Sequence, residues 1–193
     1  MVKSTGYKKV KTAVFISGTG SNLKSLIKFS KTNKSPISID LIISNNPKAK
    51  GLSHGKKFRI KTKVFNFEKK NQSENKILTT LKHCDIKMIF LAGFMKILSR
   101  RFIIKFKGKI LNIHPSLLPK YKGLNTHQRA LNDNQKHSGC TVHFVNSKLD
   151  SGKIILQKKV KISKNETKDS LAKKILILEH KLYPKAILKV FNL

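Results

Sequence analysis

Apolar residues fall into short runs that alternate between two rhythms. Lys11–Ser17 (KTAVFIS), Ile37–Ser44 (ISIDLIIS), Thr62–Phe65, Lys87–Leu91 (KMIFL) and Lys109–His114 are apolar runs of strand length. Between them the spacing turns helical, with Leu23, Leu26 and Ile27 inside Ser21–Ser30 and Ile77, Leu78 and Leu81 inside Ser73–His83. Pro47–Phe58 reads as a weaker helix, and Arg100–Phe106 and Thr126–Leu131 as short ones. The rhythm then changes. Gly139–Asn146 (GCTVHFVN) and Lys153–Ile162 (KIILQKKVKI) are successive strands, joined by a turn that contains Asp150, Ser151 and Gly152. A last helix from about Thr167 carries Leu171, Ile175, Leu178 and Leu182 along one face.

This order predicts an α/β fold in a single domain: a mostly parallel twisted sheet flanked by helices, with an antiparallel hairpin near the C-terminus. Residues 11–193 form the domain, and residues 1–10 form a basic, flexible lead. Ligands of such sheets bind at the carboxyl ends of the strands. The first strand ends at Ser17 and the fifth at His114, so both places where chemistry gathers lie on that rim.

One of them is Ile110–Gly123, ILNIHPSLLPKYKG. Asn112 and His114 stand two residues apart on a strand and so share a face, just before Pro115 ends the pairing. An amide can donate to an oxyanion, and an imidazole can move a proton near neutral pH. Asp150 is one of only nine carboxylates and lies in a tight turn that could return it to the same rim, where it raises the imidazole pKa. A histidine near a strand end is also commonly a surface or hydrogen-bonded residue. His54, His83, His127, His137, His143 and His180 show no comparable arrangement. The other place is Ser17–Asn22, SGTGSN, between strand and helix. Gly18 and Gly20 permit close backbone approach, and Ser21 and Asn22 offer N–H groups, a hydroxyl and an amide to a phosphate. Two glycines in a strand-to-helix turn also occur for steric reasons alone. The segment is neither a dinucleotide fingerprint, since Leu23 stands where glycine is needed, nor a Walker A loop.

Composition narrows the partners. The net charge is +33, and Lys (38), Ile (21) and Asn (14) make up more than a third of the chain. One reading is a polyanion partner; the other is drift from an A/T-rich coding bias, favoured because the lysines are spread along the whole length rather than clustered. No apolar run approaches the roughly 18 residues of a membrane span. The N-terminus lacks the apolar core of a secretory signal, so the expected location is cytoplasmic. Cys84 and Cys140 show no metal-ligand spacing, so no metal site is expected.

Six segments taken in order resemble the phosphoribosylglycinamide formyltransferases, folate-dependent enzymes of purine synthesis. They are SGTGSN at 17–22, LAGFMKIL at 91–98, NIHPSLLPKYKGLNTH at 112–127, GCTVHFV at 139–145, LDSGKIILQ at 149–157 and LEHKLYP at 178–184. The resemblance covers nearly the whole chain, from Val14 to Pro184. It implies direct transfer of the formyl group of 10-formyltetrahydrofolate to the amino group of 5-phosphoribosylglycinamide through a tetrahedral intermediate. Asn112, His114 and Asp150 match the family's catalytic trio: Asn112 donates to the formyl oxygen, His114 as imidazolium donates the proton, and Asp150 holds His114. Gly20, Ser21 and Asn22 match the phosphate residues, and Glu179 matches the carboxylate that holds the glycinamide end. Lys70, Met95, Lys96, Ile97 and Leu98, with Asn112, match the folate-binding residues. Lys70 and Lys96 stand where arginine is usual, keeping the charge but not the bidentate fork. The resemblance implies no tightly bound cofactor, 10-formyltetrahydrofolate as co-substrate, small-molecule partners, no specific nucleic acid and no membrane; it carries no expectation about oligomeric state. The nearest rival, the methionyl-tRNA type of formyltransferase, shares the Asn-x-His…Asp core but is expected to carry a C-terminal RNA-binding domain. A formyltetrahydrofolate hydrolase is expected to carry a regulatory domain. A non-enzymatic RNA-binding protein would need a clustered basic patch with interleaved aromatics.

Overall fold

The computed structural model describes residues 8–193. Strands β1 (Val10–Ile16), β2 (Ile37–Ser44), β3 (Lys61–Val64), β4 (Met88–Leu91), β5 (Lys109–His114), β6 (His137–Phe144) and β7 (Ile154–Lys161) form one sheet in the order β3-β2-β1-β4-β5-β6-β7. The first five in sequence are parallel; β6 runs antiparallel to β5, and β7 to β6. The predicted α/β sheet with a late antiparallel hairpin is thus the observed one.

The alternation of side chains along β1 explains the layering. Ala13 and Phe15 pack on one face with Ile77, Leu81 and Phe102, from α3 (Lys70–His83) and α4 (Arg100–Phe106). Val14 and Ile16 pack on the other with Leu23, Leu26, Ile175 and Tyr183, from α1 (Ser21–Ser30) and α6 (Lys168–Val190). A strand covered on both faces must be apolar throughout its centre, as AVFI is. The edges read differently: β3 (KTKV) is fully exposed, and β7 ends in QKKVK, lysines that discourage further strand pairing. From β1 the strand order runs one way through β2 and the other through β4, which opens a crevice beyond the ends of β1 and β4.

Several boundaries differ from the sequence reading. The lead does not extend to residue 10: Val10 already pairs with Ile37, and Lys9 Nζ donates to the carbonyls of Ser30 and Thr32 at 2.7 and 2.8 Å. Residues 1–7 lie outside the described residues. The helix placed over 47–58 is a 3₁₀ turn, Lys50–Leu52, followed by α2 (Ser53–Phe58), because Gly51 is held against the Gly20 turn by its N–H bond to the Gly18 carbonyl, 3.0 Å. β6 begins two residues earlier than expected, since His137 and Ser138 pair with Lys161 and Val160 through backbone alone and leave no apolar signal. α6 runs on through Pro184. Proline has no N–H to give the carbonyl of His180, and the Ser25 hydroxyl of α1 donates to that carbonyl instead, at 2.9 Å.

Candidate active site

A cleft of about 890 Å³ occupies the predicted crevice, between the ends of β1, β4 and β5 and helices α1 and α6. Gly20, Ser21, Asn22, Met95, Lys96, Ile97, Leu98, Asn112, His114, Asp150 and Glu179 all line it. Lys70 is an exposed residue that opens α3 and lies outside that lining. A smaller hollow of about 530 Å³ beside Lys120, Lys136 and His137 holds none of the expected residues.

At one end of the cleft, Gly20 takes φ 74° and leads into the first turn of α1. A Cβ there would lie 2.7 Å from Gly51 Cα, so both conformation and space require glycine. Ser17 ties this turn to the next loop. Its N–H donates to the Gly93 carbonyl at 3.0 Å, and its Oγ accepts the Met95 N–H at 2.7 Å. The Asn22 amide departs from expectation. It faces inward, with one Nδ2–H donating to Glu179 Oε2 at 2.7 Å. Burial pushes the Glu179 carboxyl up to about 7, against the Asn22 hydrogen bond, which lowers it.

The loop after β4 is anchored by Phe94, packed edge-on to Phe15 and Phe67 with centroids 5.3 and 5.6 Å away. On that base Met95 and Ile97 project 65% and 60% exposed while Leu98 turns into the core. Leu124 faces the same cleft, also exposed.

Between these ends lies the carbonyl cluster. Asp150, in the left-handed region at φ 44°, directs Oδ2 to the Gly123 N–H at 2.9 Å and to His114 Nδ1 at 3.4 Å. Its Oδ1 accepts from Asn112 Nδ2 at 3.3 Å. His114 Nε2–H donates to the Tyr121 carbonyl at 2.8 Å, which fixes the tautomer and turns Nδ1 toward Asp150. Burial lowers the His114 pKa, and this outweighs the upward pull of the Tyr121 carbonyl and Asp150. The sequence alone points to an upward pull from Asp150 on this imidazole; here burial outweighs it, and the net shift is downward. Asp150 is itself pushed up by burial, yet the adjacent His143, the Gly123 N–H and nearby His114 bring it below the usual carboxylate range.

His143 is the residue the sequence reading missed. The β5–β6 register sets it directly opposite Asn112, on the same face. Its Nδ1–H donates to the Phe144 carbonyl at 2.8 Å, leaving Nε2 to accept from Asn112 Nδ2 at 3.2 Å; Nε2 lies 3.5 Å from Asp150 Oδ1. One Asn112 N–H is thus anchored on His143. The other makes the longer bond, to Asp150 Oδ1. Among the described residues no His/Cys/Asp/Glu cluster is arranged to hold a metal ion.

Residues 10–187 match the family model described as formyl transferase. The chain is 42% identical over 183 residues to the trifunctional purine biosynthetic protein adenosine-3 of Homo sapiens, covering 93% of this chain and 18% of that protein. It is 42% identical over 180 residues to the phosphoribosylglycinamide formyltransferase of Haemophilus influenzae, covering 92% of this chain and 85% of that one. The crystal structure of phosphoribosylglycinamide formyltransferase from Brucella melitensis superposes with a TM-score of 0.89 at 42% identity, over 95% of this chain and 96% of that chain.

Proposed function

This chain belongs to the formyl transferase family, and we propose that it moves the formyl group of 10-formyltetrahydrofolate onto the amino group of 5-phosphoribosylglycinamide, as an enzyme of purine biosynthesis. The observation that carries this reading is the single cleft in which an amide, an imidazole and a carboxylate lie between an anion-binding turn and an apolar loop. A phosphate-bearing amine spans the first two, and a flat heterocycle rests on the third.

The ribonucleotide phosphate takes the N–H groups of Gly20, Ser21 and Asn22 at the start of α1. Lys168 and Lys173, which line the cleft, add positive charge that draws anionic substrates in. The folate ring lies against Met95, Ile97 and Leu98, with Lys96 beside it. The amine then attacks the formyl carbon. A C–N bond forms, and the carbonyl electron pair becomes an oxyanion that takes an N–H of Asn112. His114, largely neutral before reaction, accepts the proton that the attacking nitrogen loses. The imidazolium formed is paired with Asp150 and balances the oxyanion. The oxyanion collapses, the bond to the folate nitrogen breaks, and the proton passes to that nitrogen, releasing tetrahydrofolate. The substrates are small molecules, with no nucleic acid or membrane among the partners and no resident cofactor. A cytoplasmic location fits two free thiols, Cys84 and Cys140.

The test is an assay of purified protein with both substrates, following tetrahydrofolate release and the N-formyl ribonucleotide together. Equal amounts of the two products are expected. Tetrahydrofolate with free formate in place of the N-formyl product, or no turnover, overturns the reading.

A further inference from the structure

Asn22 is placed oddly for a phosphate-binding residue. It is 7% exposed, and its Nδ2 donates inward to a carboxylate that lies 157 residues further along the chain. Its Oδ1 is buried without a hydrogen-bond partner among the described residues. A buried amide with one unsatisfied end is destabilising, so the remaining bond has to offset that loss. Its acceptor, Glu179, is 6% exposed, and no cation is paired with it among the described residues. Oε2 is taken by Asn22, whereas Oε1 has no hydrogen-bond partner among the described residues and belongs to a side chain that lines the cleft. The arrangement is a carboxylate held at one oxygen with the other offered to a ligand.

The geometry points to Asn22 as the positioning residue for Glu179: its side-chain amide holds one carboxylate oxygen and so aims the other into the cleft, where Oε1 can accept from the donor end of the ribonucleotide, while backbone N–H groups of the same turn hold the phosphate. The inference rests on the formyl-transfer reading above. It gives the two functions of the turn to different atoms. The backbone binds the anion, and one side chain sets the charge state of a group two helices meet to bury. The titratable groups facing Glu179 are Cys140 of β6 and Tyr183 of α6. Burial and the nearby carboxylate raise both, Cys140 to about 12, so they stay neutral while Glu179 titrates. From α1 the uncharged Asn22 supplies the hydrogen bond. Glu179 itself, raised to about 7 by burial, titrates near neutrality, and the Asn22 bond is what lowers it. Removal of that bond moves the ionised form to higher pH.

The test is the pH profile of kcat/KM for the ribonucleotide, with the KM of the folate and competitive inhibition by inorganic phosphate measured alongside. In Asn22→Ala the acid limb is expected to move up by about one pH unit, and the ribonucleotide KM to rise roughly tenfold at pH 6.5. The loss should recover toward pH 9, with kcat, folate KM and phosphate inhibition little changed. Asn22→Asp, of the same size, puts a like charge against Glu179 and shifts the limb the same way, which covers the case of an alanine variant that fails to fold. In a Glu179→Gln background, the added Asn22→Ala change should raise the ribonucleotide KM no further. A loss that is parallel at all pH values, or, in Asn22→Ala, weakened phosphate inhibition, overturns the positioning role. Wild-type protein that transfers no formyl group overturns the underlying reading instead, so the two failures are distinct.

Discussion

The two walls of the cleft are built on opposite principles. On the α1–α6 wall, polar groups are buried and committed to one another, Asn22 to Glu179 at 2.7 Å. On the wall after β4, Met95 and Ile97 stand more than half exposed on a backbone that Ser17 and Phe94 hold in place. A buried carboxylate is useful only at a fixed place and in one charge state, because displacement leaves its desolvation unopposed. An apolar wall gains in proportion to the area it covers and tolerates small changes of shape. The first wall should therefore answer to pH and position, and the second to area alone.

The largest effect is expected where the walls meet. Asn112→Ala and Asp150→Asn should each lower kcat by roughly 10²–10³ while the ribonucleotide KM stays within a few-fold, measured by steady-state kinetics. A change confined to KM would assign these groups to the charged wall. Asp150→Asn should also move the His114 titration further down, read by NMR of its ring protons, because the carboxylate raises that pKa and burial lowers it. Next comes Gly20→Ala, which places a Cβ 2.7 Å from Gly51 at a left-handed φ. It should weaken ribonucleotide binding about tenfold or more and leave the folate KM near its original value. Met95→Ala and Ile97→Ala should each raise the folate KM by about fivefold with no pH dependence, since apolar contact carries no titrating group. Lys70→Ala, outside the cleft, serves as their control: a folate KM within twofold is expected, and a larger rise would extend the apolar wall to the start of α3.

Much of this was legible because it is local. Asn112 and His114 share a face by strand periodicity, and β1 reads as a doubly covered strand from AVFI alone. His143 was missed for the opposite reason. It joins the cluster only through the antiparallel register that sets it opposite Asn112, a pairing made across a long connection that contains α5. The signal lay in GCTVHFV, whose alternation puts Thr141 and His143 on one face, but nothing local says which strand they meet. The inward turn of Asn22 was hidden likewise, since its partner arrives from the last helix. The protonation state of His114 depends on how deeply the folded chain buries it, and no spacing reports burial depth.

Tyr183 donates to the carbonyls of Leu91 and Leu111 at 3.1 and 3.0 Å, and one residue later Pro184 leaves the His180 carbonyl to Ser25. The last long helix is thereby stitched to two central strands and to the first helix. A ribosome making this chain emits the glycine turn early and waits some 150 residues for the carboxylate that completes it. That wall of the cleft is thus completed only when the C-terminal helix docks.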